Sequence, residues 1–153
     1  MNAIDSDNTR LILFHKHPMS ARMHFLYFPH GGVCAFKPLP RLAAIIEQSK
    51  VGQKGAKDTE CMIHPSTISN WGATQLGLKS GVLQVETEFY ERIEVPNREI
   101  TVYLAGFKGH EPPANELDQF SARFVSLMEC VGIAPVEMLL LQKAYGVIMG
   151  GQS

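Results

Sequence analysis

Histidine is the residue type of this chain best suited to chemistry, and four of its six histidines lie within the first 30 residues. An imidazole can bind zinc or transfer protons near neutral pH. On a strand, His15 and His17 would project from one face. A hairpin that turns over 18–22 pairs Lys16 with His24, which places His24 on the opposite face. We therefore expect no metal site here, and no metal or other cofactor in the chain.

Two cysteines stand close in sequence to a histidine, the pairing that activates a thiol as a nucleophile. Cys34 follows His30, and Cys61 precedes His64. The base must reach the thiol in space, which proximity in sequence does not establish, and isolated cysteines are more often buried and unreactive. His30, Cys34 and His64 are the candidate catalytic residues if the chain is an enzyme, although we favour a chain without catalysis.

Alternating apolar residues predict the strands that would hold these side chains. Leu11–His15 and Met23–Phe28 form one hairpin, and the segment FPHGG then breaks the strand pattern. Residues 82–107 form a longer hairpin, whose second strand, ITVYLAGF, is apolar on both faces. A strand of that kind belongs inside a sheet, so we expect Val102 and Leu104 to be buried.

Helical spacing and helix-starting prolines predict four helices. Gly77 stands where a helix would end in a left-handed glycine, followed by an aliphatic residue that closes the cap. Another segment has apolar residues at helical spacing but no proline at its start. The four predicted helical segments are 40–48, 65–77, 117–131 and 135–150.

These strands and helices indicate an α+β fold, with a mainly antiparallel sheet of about four or five strands and helices packed on it. A chain of 153 residues can bury one self-sufficient core, so we expect a single domain over 1–153. Residues 1–9 are polar and would form a frayed tail. The stretch 49–60 is rich in lysine and glycine and would be a mobile surface loop.

The composition of the chain indicates which kinds of partner it binds and in which cellular compartment it lies. The formal net charge is −1, whereas nucleic-acid binding needs a positive field, so we expect no nucleic-acid partner. The three cysteines form no CxxC pair, which is typical of a reducing compartment. The polar start MNAIDSDNTR is unlike a signal peptide, and no apolar run approaches the roughly 20 residues of a membrane span. We expect a cytoplasmic protein with no membrane partner.

Part of the chain has the order of elements of a known family. The segments QLGL, LQVETEFYERIEV and EITVYLAGFKG are followed by an acidic segment, NELDQ, and a closing helix. From about Thr67 to Met149 the chain resembles the second half of Nudix hydrolases. In that family, an Arg-Glu pair and a Glu-Glu pair bind divalent metal ahead of the final glycine of a helix. If Gly77 is that glycine, none of the corresponding residues is a carboxylate, so the resemblance implies no metal-dependent hydrolysis. Those residues are Asn70, Trp71, Thr74 and Gln75.

The last predicted helix carries more apolar surface than one sheet face needs. Met138, Leu141 and Tyr145 lie off its main apolar stripe, which makes its apolar sector unusually broad. Surplus apolar surface of this kind marks contact sites. We expect these residues to contact a second copy of the chain, as a homodimer, or another protein partner. The alternative is that they pack under the N-terminal hairpin or the 49–60 loop.

Three functions are compatible with these features. We favour a non-catalytic binding or adaptor domain, which needs only an exposed apolar patch. The second is a regulatory domain, a degenerate Nudix-like protein that binds a small molecule between sheet and helices. The third is an enzyme, which requires that His30, Cys34 and His64 line one cavity.

Overall fold

The computed structural model describes residues 6–17, 19, 22–35, 39–40, 42–46, 64–79, 81–96, 98–109, 114–130 and 132–150. In this part of the chain, an eight-stranded mixed sheet carries one long helix on each face. The α+β prediction is therefore confirmed. The sheet, however, is larger than the predicted four or five strands and is mixed, not mainly antiparallel. The loop predicted at 49–60 lies outside the described residues.

The sheet has the strand order β4-β6-β7-β1-β2-β8, with β3 paired to β1 and β5 paired to β7. Its strands are β1 Thr9–Lys16, β2 Met23–Tyr27, β3 Cys34–Ala35, β4 Ala44–Ile45, β5 Leu83–Val85, β6 Glu91–Val95, β7 Arg98–Phe107 and β8 Arg123–Val125. The long helices are α1 Pro65–Leu76 and α2 Pro135–Gly150. Single helical turns lie at Ser6–Asn8, Ala114–Leu117, Asp118–Phe120 and Leu127–Glu129.

The sheet is mixed because β1 and β7 run parallel, with pairs from Thr9↔Thr101 to Phe14↔Gly106. Parallel neighbours need a long crossover connection, which the chain between these two strands supplies. Sequence patterns predicted only pairings between neighbouring strands, so this one was missed. It also shortens the predicted polar tail, since Thr9 already belongs to β1.

Each face of the sheet carries its own core. Alternate residues of β1 point to opposite faces, so Leu11 and Leu13 pack with α1, whereas Ile12 and Phe14 pack with α2. We call these the α1 face and the α2 face. Strand β7 alternates in the same way and is buried along most of its length. The predicted burial of Val102 and Leu104 is confirmed, and both lie on the α2 face.

Helices α1 and α2 begin at the predicted prolines. Gly77 ends α1 in the left-handed conformation, with φ of 73°, as predicted. The N–H of Leu78 donates to the Ala73 carbonyl at 2.8 Å, which completes the cap. Neither helix, within the described residues, is long and apolar enough to cross a membrane.

The other two predicted helices are wrong. Leu42 has a left-handed φ of 64°, and Ala44–Ile45 then pairs with β6 as an edge strand. In the segment 117–131, Ser121 has a φ of 57°, and the chain continues as β8 beside β2. Pairing with the sheet overrides helical spacing in both segments, since apolar residues every three or four positions also suit short turns and strands.

The predicted hairpin 82–107 forms, but its first strand is interrupted. Strand β5 pairs with the end of β7 and β6 with its beginning. Between them the chain turns, with the Phe89 N–H donating to the Glu86 carbonyl at 3.1 Å. Phe89 is buried on the α2 face. The interruption thus adds an aromatic side chain to the core.

Val102→Asp should lower the free energy of unfolding by several kcal/mol, because it buries a charge with no partner in a fully enclosed position. Urea denaturation of the purified variant measures the change. Gln84→Asp, on the exposed side of β5, is the control and should have little effect. Should the aspartate variant not fold, Val102→Thr provides a milder test, with an expected loss of about 1–3 kcal/mol. An unchanged midpoint would contradict the interior position of β7.

Candidate functional site

The loop of the first hairpin is one residue shorter than the sequence predicted, which shifts the pairing of its two strands. His15 pairs directly with His24, whereas the predicted register paired Lys16 with His24. The His17 N–H donates to the Arg22 carbonyl at 3.0 Å, which leaves a loop one residue shorter than predicted. Directly paired residues share a sheet face, so the predicted separation of His15 from His24 is wrong.

Although His15 and His24 share a sheet face, their imidazole rings have different surroundings and do not face a common ligand. His15 is buried, its Nε2–H donates to the Gly109 carbonyl at 3.0 Å, and its ring lies edge-on to Phe124. His24 is half-buried and lies at a surface groove. Among the described residues, no three His, Cys, Asp or Glu side chains are grouped so that they could hold a metal ion.

The segment FPHGG forms a tight turn at the end of β2. The Phe28 N–H donates to the Gly32 carbonyl at 2.8 Å, and Gly31 has a left-handed φ of 94°. The His30 ring stacks on Phe28 with centroids 5.6 Å apart. Its Nε2–H donates to the Cys34 carbonyl at 3.0 Å. The His30 side chain is exposed to solvent. The stacking and the hydrogen bond nevertheless hold its ring in one orientation.

Glu137, in the first turn of α2, ties this turn to the opposite end of the chain. Only 4% of Glu137 is exposed, and its Oε1 accepts the Val33 N–H at 2.8 Å. A Cβ at Gly32 would stand 2.7 Å from Oε2 of the same carboxylate, so the close approach requires glycine. Sequence reasoning missed Glu137, because an acid in a first helical turn is too common to indicate a distant partner.

Burial dominates the electrostatics of this cluster. It raises the pKa of Glu137, opposed by the Val33 hydrogen bond and by the nearby His30. Burial also raises the pKa of the Cys34 thiol, and the charge of Glu137 raises it further, while Arg10 acts in the opposite direction. A fully enclosed thiol with a raised pKa is a poor nucleophile.

The three candidate catalytic residues do not form a nucleophile–base pair. His30 and Cys34 meet, but through the backbone carbonyl of Cys34 and not through its thiol. His64 is the N-cap of α1, and its Nδ1 accepts the Ser66 N–H at 3.1 Å. Cys61 lies outside the described residues. The cluster around Glu137 is an anchor between the Gly-Gly turn and α2.

A more open feature lies where β8 leaves β2. The pairing of these strands ends at Phe25↔Val125, and β2 extends past it to Met23. The gap is a surface groove of about 600 Å³, which we call the β2–α2 groove. Its lining is formed by Arg22, Met23, His24, Ser126, Leu127, Met128 and Tyr145.

The wall of the groove opposite β2 is a capped turn. Ser126 and Glu129 form a capping box around Leu127–Glu129, and the Glu129 Oε1 accepts the Ser126 N–H at 2.7 Å. This hydrogen bond lowers the pKa of Glu129. Met128, in the middle of the turn, is 87% exposed. An ordered turn therefore presents a large apolar side chain to solvent.

The three residues predicted to form an interface have different positions. Leu141 is fully buried on the α2 face, and Met138 packs partly against the same core. Tyr145 is 41% exposed and lines the β2–α2 groove. Leu139, by contrast, is 51% exposed on the same helix. The helix is thus turned relative to the prediction, and of the three only Tyr145 contributes substantially to the surface.

No protein-family model and no curated protein matches this chain.

Glu137→Gln should change how stability depends on pH. Because burial raises the pKa of Glu137, the folded protein keeps this proton at higher pH than the unfolded chain does. The resulting stabilisation is complete below the ordinary value of 4.5 and is lost as the pH rises through the folded pKa. The stability of wild type minus that of the variant should therefore fall as the pH rises above 4.5. Urea denaturation over a pH series measures it; a constant or rising difference would contradict the prediction.

Gly32→Ala should destabilise the fold by about 1–3 kcal/mol, because the new methyl group displaces the Glu137 carboxylate from the Val33 N–H. Gly146→Ala is the matched control. Gly146 lies in α2 with open space around its Cβ position, so alanine should stabilise the helix by about 0.5–1 kcal/mol. Thermal or urea denaturation compares the two variants, and the same sign for both changes would refute the packing described for Gly32.

Proposed function

We propose that this chain is a non-catalytic binding domain that docks a segment of another protein in the β2–α2 groove. The observation that carries the proposal is the exposure of Met128 on a capped turn at the edge of that groove. A methionine in water on an ordered turn contributes nothing to the core. Methionine side chains are adaptable and recur at binding surfaces that accept varied partners.

The groove is better suited to a peptide than to catalysis. It is open to solvent, and it lies at a point where one sheet strand continues past its neighbour. An extended segment can lie along such a strand, with its side chains in the pockets beside it. Of the cysteine candidates, Cys34 is fully buried with a raised pKa, which argues against an enzyme built on its thiol.

A second candidate function is a small-molecule-binding regulatory domain with Nudix-like ancestry. The order α1, Gly77, β5 and β6, β7, α2 is the order of elements on which that resemblance rests. The groove volume of about 600 Å³ is also within the usual range of ligand sites. The helix positions that would carry the metal-binding acids are Asn70, Trp71, Thr74 and Gln75, so this candidate too is non-catalytic.

Photocrosslinking tests the proposed function. A benzophenone amino acid at Met128 should form covalent adducts with a partner when the full chain is irradiated in an extract of its source organism. The matched control is the same amino acid at Leu42, which is 82% exposed and lies beside β4 at the opposite edge of the sheet. Mass spectrometry identifies the adducts.

The pattern of adducts decides the outcome. Adducts with another protein at Met128 and few at Leu42 support docking in the groove. Equal adducts at both positions would show that exposed apolar residues react without selectivity, and the proposal would fail. An adduct with the mass of two chains would assign the groove to a second copy of this protein instead.

A further inference from the structure

Strand β2 has an open edge beside the β2–α2 groove. Its pairing with β8 ends at Phe25↔Val125, whereas β2 itself begins at Met23. If β8 continued in the same register, Leu127 would lie opposite Met23. Leu127 instead begins a helical turn. Within the described sheet, Met23 therefore has a neighbouring strand on the side of β1 but none on the side of β8.

The hydrogen bonds of the first hairpin determine which way the main chain of Met23 points. In an antiparallel pair, alternate residues direct their N–H and C=O towards the partner strand, and the residues between them direct theirs away. The His17 N–H donates to the Arg22 carbonyl at 3.0 Å, so these two residues belong to a hydrogen-bonded pair. His15 and His24 form the next such pair. Met23 lies between Arg22 and His24, so its N–H and C=O point away from β1, towards the groove that it lines.

The turn that follows β8 uses its own polar groups internally. The Ser126 carbonyl accepts the Glu129 N–H at 3.0 Å, and the Leu127 carbonyl accepts the Cys130 N–H at 3.2 Å. The Ser126 N–H donates to the Glu129 carboxylate. Among the described residues, no main-chain hydrogen bond joins this turn to Met23. The groove thus offers a main-chain donor and acceptor at a place where a strand can add.

We infer that the segment docked in this groove adds to the sheet as a short β-strand, in which one residue exchanges both main-chain hydrogen bonds with Met23. The inference rests on the proposed function and adds the way in which the partner is recognised. The added strand continues the place and the antiparallel direction of β8. Its occupant is a polypeptide in an extended conformation, since strand addition needs an N–H and a C=O at strand spacing.

The same register assigns the side chain of the pairing residue. Residues directly opposite each other in a sheet share a face. The Met23 side chain packs on the α2 face, so the pairing residue directs its side chain to that face as well, towards Tyr145 of α2. Tyr145 and Met128 give the groove apolar surface there. The residue that forms the two hydrogen bonds should therefore be a large apolar one, and its neighbours should vary in type.

Peptide selection and N-methylation test the partner's side of this pairing. A random linear peptide library displayed on phage, with the full chain as bait, supplies the probe. The best enriched peptide is synthesised together with a series in which each residue in turn is N-methylated. Methylation of one large apolar residue should weaken binding at least about tenfold, because it removes a hydrogen bond and adds bulk at the strand contact. Methylation of either neighbour should have a smaller effect. Isothermal titration calorimetry measures the affinities.

Two variants of the chain locate the peptide. Met128→Ser should weaken the unmodified peptide about tenfold by removing an apolar contact in the groove. Leu42→Ser is the matched control, since Leu42 is as exposed as Met128 but lies beside β4 at the opposite edge of the sheet. This second variant should leave the affinity unchanged.

Hydrogen exchange measured by NMR tests the protein's side of the pairing. In the free chain, the Met23 amide should exchange faster than the His24 amide, which points into the hairpin. Saturating peptide should lower the ratio of the Met23 rate to the His24 rate at least about tenfold. Phe124 is the control, because by the same alternation its N–H points to the outer edge of β8, away from β2. Its rate relative to His24 should not change.

The outcomes separate the inference from the proposed function. If Met128→Ser weakens the peptide but no single N-methylation does, or the Met23 amide is not slowed, strand addition is overturned while docking in the groove survives. A library without enriched peptides, or a peptide that Met128→Ser leaves bound, would overturn both. Slowing at Phe124 instead of Met23 would place the peptide on the outer edge of β8, which also contradicts the inference.

Discussion

The parallel pairing of β1 with β7 is the interaction on which the rest of the fold depends. It joins a strand near the start of the chain to one from its second half, and it lies at the middle of the sheet order. Both faces are covered there, so residues of these strands pack with α1 on one side and α2 on the other. Every other strand of the described sheet attaches to this pair: β2, β3, β5 and β6 pair with it directly, β4 is joined through β6, and β8 is joined through β2.

The bond between Glu137 and Val33 connects the same two halves of the chain a second time. A buried carboxylate is costly unless its hydrogen bonds are made, so this contact specifies where α2 begins on the α2 face. From that point the direction of the helix follows, with Leu140, Leu141 and Ala144 inward. Tyr145 then reaches the surface beside Met128. The anchor and the groove are thus two consequences of one helix position.

Sequence patterns correctly predicted the features that depend on residues close together in the chain. Proline at the start of α1 and α2, the left-handed Gly77 and the apolar strand β7 depend on neighbours in sequence, and all appear as predicted. The parallel pair, the strands at 44–45 and 123–125 and the one-residue shift of the first hairpin depend on distant partners or on a single turn. A hairpin register changes when a loop shortens by one residue, and nothing in HPMSAR indicates which loop length forms.

In the candidate site, too, some features follow from neighbours in sequence and others depend on distant residues. His30 and Cys34 were identifiable from their types, yet their roles depend on Glu137, which is more than a hundred positions away in sequence. The sequence also indicated surplus apolar surface on α2, but which of its residues reach solvent depends on the rotation that the anchor imposes. Leu141 enters the core and Leu139 does not.

The buried cluster around Glu137 and the β2–α2 groove differ chemically. Around Glu137, burial keeps the thiol of Cys34 protonated and the turn closed, so reactive residue types are used for structure. At the start of β2, its pairing with β8 stops and a capped turn holds Met128 in water beside Arg22 and His24. The enclosed Cys34 thiol and the ordered, exposed Met128 side chain are the two observations that support the proposed binding function over an enzyme built on that thiol.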